Sequence, residues 1–169
     1  MVAVIVLAAG ASTRFGSPKQ RLLLEPVLAR VRAAASVGQI VVVAGAHELE
    51  ADVRVVPCPD WARGPGASLR CGLSSLSSET EAAVVVLADG PRLSPAAIDR
   101  VVAAWRDGAG DVVAASYRGN RGHPVLLDRR RWAEIPDEGA RVMTPVLVPC
   151  DDLGAPGDID TPADLEPKR

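Results

Sequence analysis

Apolar residues gather in short runs along this chain, at 2–7, 39–44, 53–56, 82–88, 111–116 and 146–149. The first, Val-Ala-Val-Ile-Val-Leu, has no polar alternation, as expected of a parallel strand covered on both faces. Segments 26–35 and 66–77 carry helix-like spacing between the runs. Ser94-Pro95 reads as an N-cap and first-turn proline opening a helix to about Arg106, with Gly108 and Gly110 closing it. Thr161-Pro162 reads as a second such start, for a short terminal helix. Strand-then-helix alternation predicts an α/β fold with a mostly parallel sheet.

Length and composition narrow this further. A chain of 169 residues suits one domain, and neither a linker nor an internal repeat divides it. Aromatic residues make up 3% against 48% hydrophobic overall, so the core is expected to be aliphatic, built by close helix–sheet packing. A formal net charge of −2 argues against nucleic acid or an anionic membrane as the main partner, so any polyanion site must be local. No apolar run reaches the roughly 18 residues of a membrane helix. Cys58, Cys71 and Cys150 are odd in number and lack metal-ligand spacing, and are expected to be reduced thiols in a cytoplasmic protein.

The candidate chemistry lies where strands end. The first run opens into Ala8-Ala9-Gly10-Ala11-Ser12-Thr13-Arg14-Phe15-Gly16-Ser17-Pro18-Lys19. Glycines there permit close approach of backbone N–H groups to a ligand, and Ser12, Arg14 and Lys19 add a hydroxyl and two cations. A nucleoside triphosphate fits such a loop. Lys19 and Lys168 are the only lysines, so the one inside the loop stands out as a compact point charge for phosphate. The spacing matches neither the dinucleotide fingerprint nor the P-loop. The run 82–88 ends at Asp89-Gly90-Pro91, which sets a carboxylate at the sheet's carboxyl edge, suited to a magnesium ion shared with substrate phosphates. Near the end, Gly157-Asp158-Ile159-Asp160-Thr161-Pro162 offers two more carboxylates.

The pattern Leu-Ala-Ala-Gly-x-Ser-x-Arg-x-Gly-x-x-Lys over 7–19 resembles the signature of nucleotidyltransferases that make molybdenum cofactor dinucleotides, especially the cytidylyltransferase branch. Asp-Ile-Asp-Thr-Pro resembles that branch's terminal signature. Residues 61–72, 122–125 and 137–141 resemble further family segments. The resemblance implies a single-domain three-layer α/β/α sandwich, Rossmann-like and GT-A-like. It implies a nucleotide site at Leu7, Ala8, Ala9, Gly10, Ala11, Ser12, Arg14, Lys19, Gly66 and Ser68, with Arg14, Lys19 and Asp89 catalytic. Mg2+ would be held by Asp89 and Asp160, and the acceptor by His123 and Arg141. The free N–H groups of a helix starting near Ala67 would meet base or phosphate.

The implied reaction joins a phosphorylated acceptor, molybdopterin or its molybdenum-loaded form, to the α-phosphorus of a nucleoside triphosphate. Ala9, where the guanylyl branch has glycine, favours CTP over GTP. A molybdoenzyme or cofactor-insertion protein would be the partner. The chain departs from the family pattern in three places: it lacks the Gly-Lys-Pro-type turn after Lys19, it is short at 45–52, and it carries Gly90 where the family has Met or Gln. Transfer to another acceptor such as a sugar phosphate, and nucleotide binding without catalysis, remain the alternative readings.

Overall fold

The computed structural model describes residues 1–10 and 19–157, with backbone alone for 19–21. In chain order the elements are β1 (Val2–Ala8), α1 (Lys19–Arg32), β2 (Gln39–Ala44), β3 (Arg54–Pro57), α2 (Pro65–Ser74), β4 (Ala82–Leu87), α3 (Pro95–Arg106), β5 (Val112–Tyr117), β6 (Asn120–Asp128) and β7 (Val146–Pro149). The strands form one sheet in the order β3-β2-β1-β4-β6-β5-β7. Every neighbouring pair is parallel except the two that β6 makes, with β4 and with β5.

Alternate residues of the buried strands serve two cores. Val2, Val4 and Val6 pack with Val42, Val84 and Val86 under Leu24, Val27, Leu28 and Val31 of α1 and Ile98, Val101 and Val102 of α3. Ala3 and Ile5 face the other way, with Val41, Val43, Ala83 and Val85, under Leu69 and Leu73 of α2 and under Ile135 and Met143. This is the expected three-layer sandwich. Gly72 lets α2 lie close to the sheet, since a Cβ there would come to 2.9 Å of Val43 Cγ2 and 3.0 Å of Ile5 Cγ2.

Three features differ from expectation. First, 120–128 is a strand, joined to β5 by the two-residue turn Arg118-Gly119, whose φ values of 54° and 76° are those of a hairpin turn. Second, α1 begins at Lys19 rather than near 26 and carries Pro26 inside it. Third, Cys58 and Cys71 are joined in a disulfide across 13 residues, which corrects the expectation of three free thiols. The turn from β3 into α2 brings their Cα atoms to 5.8 Å, a proximity that spacing alone does not reveal. Cys150 is free and buried. The link 45–53 between the parallel strands β2 and β3 contains no helix, as its length suggested. Among the described residues, no helix is long and apolar enough to cross a membrane.

Candidate active site

Strands β1 and β4 run parallel and end together: the Ala88 N–H donates to the Leu7 carbonyl at 3.0 Å, just past both strands. Beyond them Ala8 and Ala9 are buried, Leu7 is half-buried and Gly10 is exposed. The Ala9 carbonyl accepts from Ala46 N–H at 3.3 Å, which ties the start of the loop to the turn after β2. Ala11, Ser12, Arg14 and Asp160, and the helix expected at Thr161, lie outside the described residues. Lys19 is the first residue of α1.

Because β6 is antiparallel to β4, its first residues lie at the edge where β4 finishes. Arg121, Gly122 and His123 therefore come to the same edge as Asp89, whose Oδ1 is buried. Burial, helped by the Arg121 charge and opposed by that of Asp89, pushes the His123 imidazole down to about 4. It is neutral near pH 7 and can offer hydrogen bonds but no positive charge. Tyr117 on β5 steadies it: the phenol donates to the His123 carbonyl at 2.8 Å, and burial pushes the phenol up to about 12.

Two cavities open along this edge and share Leu87, Arg121, Gly122 and His123. One, of about 340 Å³, lies between Leu7 of β1, Pro65 and Leu69 of α2, and residues 138–141. The other, of about 370 Å³, lies between Gly90, Leu93, Tyr117 and Asn120, under residues 155–157. Arg141 thus lines the same cavity as the first turn of α2, while His123 belongs to both.

The 135–143 segment roofing the smaller cavity is fastened on both sides. On the α2 side Arg70 donates to the Ile135 carbonyl at 2.8 Å and to the Asp137 carboxylate, which also meets Arg63 at 3.4 Å. The Arg70 hydrogen bond, with the charge of Arg63, holds the Asp137 carboxyl below the usual carboxylate range. On the β6 side Arg121 donates to the carbonyls of Ala140, Arg141 and Met143 at 2.7, 3.3 and 2.6 Å. Gly66 is the point of closest approach. A Cβ there would come to 2.7 Å of the Pro136 carbonyl carbon and closer still to its oxygen. The Gly66 N–H, expected to face a ligand, donates to the Asp137 carbonyl at 2.9 Å, and Ser68 is only 3% exposed.

Gly90 has a similar reason. A Cβ there would meet Pro156 Cβ at 3.2 Å and the Gly157 carbonyl oxygen at 3.3 Å, so residues 156–157 pass over the residue beside Asp89. Among the described residues, no group of three or more His, Cys, Asp or Glu side chains could hold a metal ion. Arg121, Tyr117 and the Arg70–Asp137 pair were not singled out by sequence. For Arg121 the signal was adjacency, because it immediately precedes the Gly122-His123-Pro124 motif.

A family model described as MobA-like NTP transferase domain matches residues 4–142. No curated protein matches the chain. Among solved structures, Rv0371c from Mycobacterium tuberculosis H37Rv is 28% identical, with a TM-score of 0.78 over 96% of this chain and 94% of that one. A structure of Rv0371C from the same organism in complex with manganese aligns at 23% identity and a TM-score of 0.72, over 98% and 93%. Molybdopterin-guanine dinucleotide biosynthesis protein A from Archaeoglobus fulgidus shares the fold at 16% identity and a TM-score of 0.68, over 98% and 95%.

Proposed function

The chain belongs to the MobA-like NTP transferase domain family, and from that membership we propose that it transfers cytidine monophosphate from CTP to a small phosphorylated acceptor, molybdopterin or its molybdenum-loaded form. An acceptor phosphate oxygen attacks the α-phosphorus, the bond to the β-phosphate oxygen breaks, and pyrophosphate leaves. The observation that carries this reading is the position of Asp89 at the end of β4, on the edge where two cavities meet across Arg121 and His123. One cavity borders β1 and α2 and suits the nucleoside; the other borders Gly90 and residues 155–157 and suits the acceptor.

The residues present fit a hard divalent cation. A carboxylate at a strand end, with one oxygen buried, supplies the single oxygen ligand that magnesium commonly takes beside substrate phosphates. When bound, the metal neutralises phosphate charge and orients the triphosphate. Asp160 would complete its ligands, as the terminal motif implies. Amides of 9–12 and Arg14 hold the β- and γ-phosphates, and Lys19 offsets charge growing at the α-phosphate. Pro65 and Leu69 give the nucleoside cavity an apolar wall, and Gly66 admits the 135–143 segment. His123 hydrogen-bonds the acceptor as a neutral imidazole, and Arg141 brings a cation to the cavity rim.

Melting curves with CTP, GTP and ATP, each with magnesium, manganese or neither, test the nucleotide and the metal. CTP with metal is expected to stabilise most, by mass action; manganese is included because a relative was solved with it. No shift with any nucleotide would overturn the reading. Labelled CTP offered to molybdopterin and to sugar phosphates tests the acceptor, and turnover with sugar phosphates alone would keep the reaction and replace its acceptor.

A further inference from the structure

Arg121 is a half-buried guanidinium whose three hydrogen bonds all go to backbone carbonyls, of Ala140, Arg141 and Met143. Among the described residues no carboxylate lies in salt-bridge reach of it, although Arg32, Arg70, Arg100 and Arg130 each meet an Asp or Glu. Its donors are thus partly used and no described carboxylate offsets its charge, and taking such a charge out of water is unfavourable until an anion joins it. It stands at the junction of the two cavities.

The strand order says which anion this is. β4, which leads to Asp89, separates β1 from β6. β1, whose end leads into the loop read as nucleotide-binding, lies on one side of β4; β6, with Arg121 near its start, lies on the other. Displacement at the α-phosphorus sets the attacking and leaving oxygens roughly in line. Pyrophosphate therefore departs toward β1, and the attacking group arrives from β6. We propose that Arg121 binds the phosphate of the acceptor, its orientation fixed by the carbonyls of 140–143, so that the attacking oxygen approaches opposite the leaving group.

This inference rests on the nucleotidyl-transfer reading, and the test separates the two. Inorganic phosphate is titrated into protein saturated with magnesium and a non-hydrolysable α,β-methylene CTP, at constant ionic strength, with melting temperature as the readout. Wild type is expected to show a saturable rise. Arg121→Met is expected to need at least about tenfold more phosphate for half-saturation, the loss of one charge-assisted contact. Arg121→Lys, which keeps the charge but not the planar fork, is expected to stay within about threefold of wild type. This corresponds to well under 1.4 kcal/mol.

Wild-type half-saturation in Arg121→Met would overturn the assignment. An equal loss in both variants would also overturn it, by tracing the effect to the carbonyl contacts alone. So would the absence of any saturable phosphate effect in a wild type that binds the nucleotide analogue. A wild type that binds phosphate through Arg121 but ignores the nucleotide would instead overturn the transfer reading and leave the anion site standing.

Discussion

Gly90 and Gly157 lie against one another, with the Gly157 carbonyl oxygen 3.3 Å from where a Cβ on Gly90 would sit. The family that the sequence resembles places Met or Gln beside the aspartate; in this chain the Pro156 ring and the Gly157 carbonyl take that space. Gly90→Met is expected to cost about 1–3 kcal/mol through overpacking, and Gly90→Ala less than about 1 kcal/mol, since the neighbours need give only a few tenths of an ångström. Urea unfolding of the two variants measures this. A methionine variant as stable as wild type would mean that the terminal segment does not rest on position 90.

Gly66→Ala is expected to be far more damaging, by about 3 kcal/mol or more, because the obstruction is the backbone of Pro136 and Asp137 rather than a movable side chain. Loss of the fold, or a chain whose 135–143 segment becomes sensitive to protease, is the expected readout. A normal melting curve would refute the packing described for α2.

Asp89→Asn keeps shape and removes charge. Pyrophosphate release should fall by about a hundredfold or more, the scale of removing a group that organises charge at the reacting phosphate. The melting temperature without ligand should stay within a few degrees of wild type, and the metal-dependent part of nucleotide binding should be lost.

The His123 imidazole has a folded value of about 4 against an ordinary 6.5. Between those values the unfolded chain binds more protons than the folded one, so stability rises with pH across this window. The contribution is complete above about 6.5 and lost as pH falls through about 4. Its upper bound is about 3 kcal/mol, reduced by what solvent screens at a half-buried ring. Denaturant midpoints from pH 4 to 7, compared with His123→Gln, should show the slope only in wild type.

Under denaturing, non-reducing conditions one thiol, Cys150, should react with a thiol reagent, and after reduction all three cysteines should. Reduction is expected to lower stability by about 3 kcal/mol, the loop-closure effect of a cross-link of this span. Three reactive thiols before reduction would refute the bridge.

The sheet was largely legible because most of its strands are short apolar runs: 2–7, 39–44, 82–88 and 146–149 match β1, β2, β4 and β7 within a residue. Strand β6 escaped because its first half, Asn120-Arg121-Gly122-His123-Pro124, is polar and contains proline, which argues against an interior strand. Arg118-Gly119 between Tyr117 and Asn120 was the available hairpin signal. Asp89 was readable as a carboxylate ending an apolar run. What joins Arg121 to residues 140–143, or Asp137 to Arg63 and Arg70, is a long-range contact between segments separated by other elements, and no local pattern encodes it. Gly66 and Gly90 were visible as glycines, but the reason for each is a backbone arriving from elsewhere in the chain.

Strand β6 is also the seam of the sheet. It is hydrogen-bonded to β4 on one side and β5 on the other, and Val125, Leu126 and Leu127 have partners in both ladders. The block β3-β2-β1-β4 can part from β5-β7 only by breaking one of those ladders. These three residues are buried as well, at 2%, 0% and 0% exposure. Their amides should therefore exchange with solvent deuterium among the slowest in the chain, opening only when the whole molecule unfolds. The same strand carries Arg121 and His123 at its other end, so the groups that face the two cavities are anchored in the slowest-opening part of the protein.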